Sequence, residues 1–157
     1  MRVGLGFDLH PLVKGRTLWL GGVEIPFEWG LQGYSDGDVL LHCIADALLG
    51  AAGLKDIGHH FPSEDPRYRG LSSILLLKDT YKMVSTRGYR VVNVDTVIIA
   101  QRPRLSPHRE EMARRIATVL KIAPPQVSVK STTTDGLGLC GRGEAIAAQA
   151  VVLLAGD

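Results

Sequence analysis

The chain predicts an α+β fold: a mixed β-sheet with helices packed on one face. Three observations carry this. The 157 residues, 45% of them hydrophobic, suffice for one substantial core and not comfortably for two, so a single domain over 1–157 is expected. Stretches of period two and of period 3.6 follow one another in the order strand, hairpin, helix, helix, strand, helix, strand, strand. No internal repeat or low-complexity segment interrupts that order.

The bulk numbers also bound the function. Lys and Arg total 18 against 16 Asp and Glu, with no basic run and few aromatics, so a nucleic-acid surface is not indicated. No apolar run reaches the ~20 residues of a membrane span, and the first residues already read as strand rather than as a targeting segment. Cys43 and Cys140 form no framework of spacings, which suits free thiols in a reducing cytoplasm.

The first strand is short and apolar, with Val3, Leu5 and Phe7 alternating, and it ends at Gly6-Phe7-Asp8-Leu9-His10. Residues two apart on a strand share a face, so Asp8 and His10 can present an oxygen and a nitrogen to one point, as a zinc ion requires. Alone, the pair reads sooner as a turn-capping Asp beside a surface His, so the metal reading depends on a third ligand. Residues 17–26 read as a hairpin around Gly21-Gly22, and 30–38 as a glycine-rich polar loop ending in a helix cap at Asp36 or Asp38.

The following segment, Val39 to Ala52, is apolar nearly all round except for His42 and Asp46, so the helix is expected to be buried on most faces. Asp46 stands one turn after His42 and is expected to orient its ring. Two readings stand for His42: a core histidine satisfied by Asp46, or a third zinc ligand beside Asp8 and His10. The two nearby orphan ligands favour the second, and two histidines with one carboxylate is a catalytic stoichiometry that leaves a position open.

Residues 53–66 read as a long polar loop in which His59 and His60 stay unassigned. A second helix is expected from about Ser73 to Arg87, with Ile74, Leu77, Tyr81 and Val84 on one stripe and Gly88 as its stop. Tyr89 to Ala100 reads as a strand whose basic, proline-constrained exit at 101–106 is either a solvated connection or an anion contact. Ser106 is expected to cap a third helix with Pro107 at its first position and Met112, Ile116 and Leu120 inward. Val127 to Thr132 reads as a strand running into Thr132-Thr133-Thr134-Asp135-Gly136. That loop suits phosphate oxygens, with Asp135 available for a divalent cation. The last strand is Ala145 to Leu154. Functional loops sit at strand ends along the whole chain, so an oligomer that unites them is expected.

Seven motifs occur in order: Gly-Phe-Asp-x-His at 6–10, Ser-Asp-Gly-Asp-Val at 35–39 with His42 beyond it, Asp-Ile-Gly at 56–58 and Phe-Pro-x-x-Asp at 61–65. Pro-His at 107–108, Thr-Thr-Thr-Asp at 132–135 and Gly-Arg-Gly-Glu at 141–144 complete the set. Together they resemble the 2-C-methyl-D-erythritol 2,4-cyclodiphosphate synthase family of the non-mevalonate isoprenoid pathway, over essentially the whole chain. The resemblance implies a chorismate-mutase-like homotrimer with sheets around the three-fold axis and active sites at subunit interfaces. It implies zinc on Asp8, His10 and His42, and magnesium or manganese held by Asp135 on a diphosphate. The substrate would be 4-diphosphocytidyl-2-C-methyl-D-erythritol 2-phosphate, whose 2-phosphate attacks the β-phosphorus and expels CMP. Such a reaction needs positioning and charge neutralisation rather than a protein nucleophile.

By the same resemblance, Tyr34 and Thr133 stand at the transferring group. Asp8, Leu9, His10, Ser35, Asp56, Ile57, Gly58, Phe61, Pro62, Ser63, Glu64 and Asp65 line the erythritol and phosphate pocket. Ala100, Gln101, Arg102, Pro103, Arg104, Leu105 and Ser106, with Thr132, Thr134, Leu139 and Arg142, receive the rest of the substrate, the cytidine phosphate coming from a neighbouring subunit. Phe7, Arg142 and Glu144 match residues around a central cavity that takes an isoprenoid diphosphate in some members. Four positions depart from the family pattern: Tyr34 for a His, Ser63 for an Asp, Asp135 for a Glu and Leu139 for an aromatic. Tyr34 brings no positive charge at neutral pH, so a second reading is a trimeric nucleotide or isoprenoid-diphosphate binding protein with reduced turnover.

Overall fold

The computed structural model describes residues 1–156. The elements are β1 (Arg2–Lys14), β2 (Leu18–Leu20), β3 (Val23–Ile25), β4 (Trp29–Leu31), α1 (Val39–Ala52), α2 (Ile57–His60), α3 (Ser73–Thr86), β5 (Tyr89–Ile99), α4 (Arg109–Leu120), β6 (Val127–Thr132), α5 (Gly138–Gly141) and β7 (Ala145–Gly156). Five strands form one sheet in the order β4-β1-β7-β5-β6, antiparallel except for the parallel pair β5 and β6. The sheet is therefore mixed and the class is α+β. β2 and β3 pair with each other as the expected hairpin, apart from the five-stranded sheet.

β1 sets the geometry of everything nearby. Gly4 and Gly6 point at α1, where an added Cβ would lie 1.9 Å from the Ala47 carbonyl oxygen and 1.8 Å from that of Cys43. Only glycine permits so close an approach of strand to helix. The alternating Val3, Leu5 and Phe7 consequently face away from α1 and stand 69%, 68% and 53% exposed. Leu5 pairs across the ladder with Val151, itself exposed, so the apolar stripe continues onto β7. The strand does not end at His10 as expected but runs to Lys14, where β4 joins it.

α1 is buried on nearly every face, as a sequence apolar but for His42 and Asp46 dictates. Asp38 caps it through the Leu41 amide and also accepts from the amides of Gly21 and Gly22 at 3.0 and 2.7 Å. Both glycines have positive φ, so the hairpin turn folds down onto this one carboxylate. Burial pushes the Asp38 carboxyl above its ordinary range in spite of those donors. α3 and α4 lay Leu77 and Val84, and Met112, Ile116 and Leu120, into the same core.

Several expectations need correction. The polar loop after α1 holds a short helix, α2, capped by Asp56 through the His59 amide, and a 3-10 turn at Pro66–Tyr68. Ser106 does not cap the third helix; it sits in a 3-10 turn, Ser106–His108, that precedes α4 and accepts from Arg104 Nε at 2.9 Å. Two short elements, β4 and α5, have no periodic signal long enough to read from sequence.

Candidate active site

β1 carries Asp8 and His10 on the face that meets α1, one turn into which stands His42. The Asp8 Oδ2 atom lies 2.9 Å from His10 Nε2 and 3.0 Å from His42 Nδ1, and the three prospective ligand atoms lie within 4.8 Å of one another. The hydrogen bonds behind the rings explain this convergence. His10 Nδ1 is bonded to the Gln32 carbonyl oxygen, which only accepts, so Nδ1 carries the proton and Nε2 turns a lone pair toward Asp8. Lone pairs and a carboxylate oxygen that meet at one point require a cation between them, either a proton or a metal ion. The donor set fits a divalent metal such as zinc with one position open.

The electrostatics agree. Burial raises the Asp8 carboxyl, but hydrogen bonds and charge from His10 and His42 outweigh it and hold it well below the usual carboxylate range. Burial lowers His10, and the Asp8 carboxylate outweighs that in turn, raising the imidazole above 6.5. The pair holds a proton strongly where no metal is bound.

Asp46 does not orient His42, as had been expected. Its Oδ1 accepts from the Ile57 amide at 2.8 Å, fixing the start of α2. His42 Nε2 instead lies 3.0 Å from the hydroxyls of both Ser35 and Ser73. His59 and His60 lie outside the cluster; His60 Nε2 bonds the Leu54 carbonyl at 2.6 Å.

A cavity of about 290 Å³ opens at the triad, lined by Asp8, His10, Tyr34, Ser35, His42, Ile57, Gly58, Phe61, Ser63, Tyr68, Leu71 and Leu76. Tyr34 donates to the Asp65 carbonyl at 3.3 Å, and its own carbonyl accepts from Gly70 at 2.9 Å, so it ties down the 61–72 segment. Ala100 to Ser106, with Ser131, Thr132 and Thr133, line a different cleft of about 470 Å³ that shares no lining residue with the first. Asp135 stays beside Thr133, whose hydroxyl is 3.4 Å from its Oδ1, and the Gly136 amide bonds Gln101. Leu139 is exposed, and Arg142 pairs with Glu144 at 2.6 Å beside a third cleft that also includes Trp29, Gln101 and Arg102. Leu9 packs its side chain with Cys140, Ala145 and Ala147, on the sheet face opposite Asp8 and His10. Within one chain the residues around the triad and those around the β5 and β6 exits thus form separate groups, with Leu9 on the far sheet face and Arg142 beside the third cleft. Tyr68, Leu71, Leu76 and Ser73 were missed. They belong to a loop and a helix start whose approach to β1 is decided by tertiary packing, and only the position of Ser73 at a helix start was visible locally.

Comparison with known proteins agrees with this site. The YgbB family profile matches residues 1–155. The 2-C-methyl-D-erythritol 2,4-cyclodiphosphate synthases of Moorella thermoacetica and Pelotomaculum thermopropionicum are 60% and 59% identical over 154 residues, covering 98% of this chain and 94% and 95% of theirs. A CDP-bound structure of such a synthase superposes with a TM-score of 0.91 at 37% identity, covering 98% of this chain and all of that one. The bifunctional IspDF of Campylobacter jejuni superposes with a TM-score of 0.96 at 40% identity, where this chain spans 42% of that protein's length. With the whole sheet, the metal-ligating triad and this identity in agreement, the chain belongs to the YgbB family, whose relatives at this level of identity are named 2-C-methyl-D-erythritol 2,4-cyclodiphosphate synthase.

Proposed function

We propose that this chain catalyses the cyclisation of 4-diphosphocytidyl-2-C-methyl-D-erythritol 2-phosphate to 2-C-methyl-D-erythritol 2,4-cyclodiphosphate with release of CMP. The observation that carries the reading is the convergence of Asp8, His10 and His42 at the wall of a cavity of about 290 Å³, in a chain 60% identical to a synthase of that name. The binding-only alternative is not favoured at such identity.

An oxygen of the 2-phosphate bonds to the β-phosphorus while the bond from that phosphorus to the bridging oxygen breaks, and CMP leaves with the bridging oxygen. The attacking phosphate is already ionised, so no residue need remove a proton. A zinc ion held by Asp8, His10 and His42, with magnesium or manganese at Asp135, would supply charge neutralisation on the diphosphate. The chain's own residues bind and orient. Ser35 and the Gly58 amide offer hydrogen bonds to the erythritol, and Phe61, Tyr68, Leu71 and Leu76 keep water from the reacting phosphorus. Arg102 and Arg104 offer charge to the cytidine phosphate, and Thr133 meets the transferring group. Tyr34 lines the same cavity, and its single hydroxyl proton, donated to the Asp65 carbonyl at 3.3 Å, would turn to the transferring phosphate only on release of that bond.

The two groups of site residues line separate clefts, so one chain does not make a whole site. The exposed Val3, Leu5, Phe7 and Val151 stripe is an apolar face suited to burial against other copies. Both features support a chorismate-mutase-like homotrimer of single-domain subunits with sheets facing the three-fold axis, where the 100–106 and 132–135 segments of one subunit complete the triad pocket of the next. Phe7, Arg142 and Glu144 would then surround a central cavity able to take an isoprenoid diphosphate. The free, buried Cys43 and Cys140 are consistent with the cytoplasm, and no described helix is long and apolar enough to cross a membrane. The test is CMP release from the diphosphocytidyl substrate with zinc quantified in the same preparation. CMP with zinc at one per chain supports the reading; zinc without CMP contradicts it.

A further inference from the structure

His42 is held by more than its ligand role explains. Its Nε2 lies 3.0 Å from the hydroxyl of Ser73, the first residue of α3, whose side chain is fully buried. The Ser73 hydroxyl donates to Asp36 Oδ1, and the Ser73 amide donates to Asp36 Oδ2 at 2.9 Å. A carboxylate accepts and does not donate, so the one hydroxyl proton of Ser73 is committed to Asp36. Only oxygen lone pairs of Ser73 remain to face His42, and Nε2 must therefore carry the ring proton. The Nδ1 lone pair is left pointing at the ligand site, 3.0 Å from Asp8 Oδ2.

The neighbouring hydroxyl shows what this arrangement prevents. Ser35 Oγ is also 3.0 Å from Nε2, and it is not committed to a carboxylate. Acting alone, Ser35 could donate its proton to Nε2, which would place the ring proton on Nδ1, hydrogen-bonded to Asp8, and leave no lone pair for a cation. We propose that Ser73 and Asp36 are positioning residues of the metal site, which fix the His42 tautomer that can ligate a metal and exclude the one that cannot. This rests on the metal-site reading of Asp8, His10 and His42. Asp36 is itself held in the loop that precedes α1, where its Oδ1 also accepts the Asp38 amide at 3.1 Å, so the whole relay from loop to ring is anchored in the fold.

Zinc affinity is to be measured by chelator competition on wild type and Ser73→Ala, with cobalt(II) absorption as a report on ligand geometry and the thermal midpoint of each metal-free protein as a packing control. Partners of metal-bound histidines typically govern affinity by about 10–100-fold. The expected result for Ser73→Ala is a loss in that range with a changed cobalt spectrum and a cooperative metal-free transition retained. A zinc affinity within about twofold of wild type, with the same spectrum, overturns the proposal. Should Ser73→Ala fail to fold, the tautomer of His42 is read directly in metal-free wild type by nitrogen-15 correlation. A proton on Nε2 supports the proposal and a proton on Nδ1 overturns it. Wild type that binds no zinc defeats the metal-site reading instead, and the tautomer measurement still judges the Ser73 and Asp36 pair.

Discussion

Replacing Gly6 by alanine should separate the two halves of the metal site without touching a ligand. The added Cβ would lie 1.8 Å from the Cys43 carbonyl oxygen, and ordinary contact begins near 3.4 Å, so β1 must lift from α1 by about 1.6 Å. That oxygen and the next two nearest atoms, the Cys43 carbonyl carbon and the Ala47 nitrogen, are all backbone in a helix buried on nearly every face, so no side chain can turn aside. Overpacking of this kind costs about 1–3 kcal/mol, or roughly 3–9 °C in melting temperature for a chain of this size. Cys43 directly follows His42, so the same displacement acts on the 3.0 Å contact between Asp8 and His42. A shift of over an ångström there is expected to reduce zinc affinity and turnover by about 100-fold. The assay is zinc content and CMP release on dialysed protein, with a thermal scan in parallel. Gly6→Ala with wild-type stability and full zinc would refute the claim that glycine sets the strand-to-helix spacing.

Four further outcomes are expected. Zinc affinity should fall as pH falls below the raised His10 value, by about tenfold per unit for each proton displaced, and zinc uptake at neutral pH should release protons, measurable by titration calorimetry in buffers of different ionisation enthalpy. The linked stability has the opposite sense. In metal-free protein the His10 contribution is fully present below the unfolded value of 6.5 and is lost as pH rises through the raised folded value, so its melting temperature should decline across that window; a rise would contradict the Asp8–His10 pairing. Leu5→Glu places a charge in the exposed sheet stripe and should shift the assembly to monomers by light scattering, with loss of CMP release and a retained fold; an unchanged mass would show that this face is not the interface. Tyr34→His restores a group able to carry charge and should raise turnover with little change in zinc content, whereas equal or lower turnover would mean that the Tyr34 bond to the Asp65 carbonyl is the more useful one.

What could be read from sequence follows the range of the forces involved. Alternation along β1 put Asp8 and His10 on one face, and the apolar run after Asp38 placed His42 one turn into a buried helix; both are periodicities of a single segment. The same alternation misleads about burial. Val3, Leu5 and Phe7 look like a core face, yet the small Gly4 and Gly6 face is the one pressed on α1, because a helix can approach glycine more closely than it can approach valine. Asp46 failed as the partner of His42 because helical spacing says which groups share a face and not which backbone amide arrives from elsewhere. The Ile57 amide claimed that carboxylate, and Ser73, 31 positions away from His42, took the ring. The division of the site residues between two clefts has the same origin. The segments at 8–63 and at 100–133 are joined by sheet order, with β5 and β6 on one side of β7 and β1 on the other, which no local pattern encodes.

The source of the attacking oxygen distinguishes cyclisation from hydrolysis most directly. Turnover of the diphosphocytidyl substrate in oxygen-18 water, with products resolved by phosphorus NMR and mass spectrometry, separates intramolecular attack from hydrolysis. Cyclic diphosphate and CMP with no solvent oxygen in either is the predicted result. One solvent oxygen in an open-chain phosphate product would show that water attacks, and the cyclisation account would be wrong.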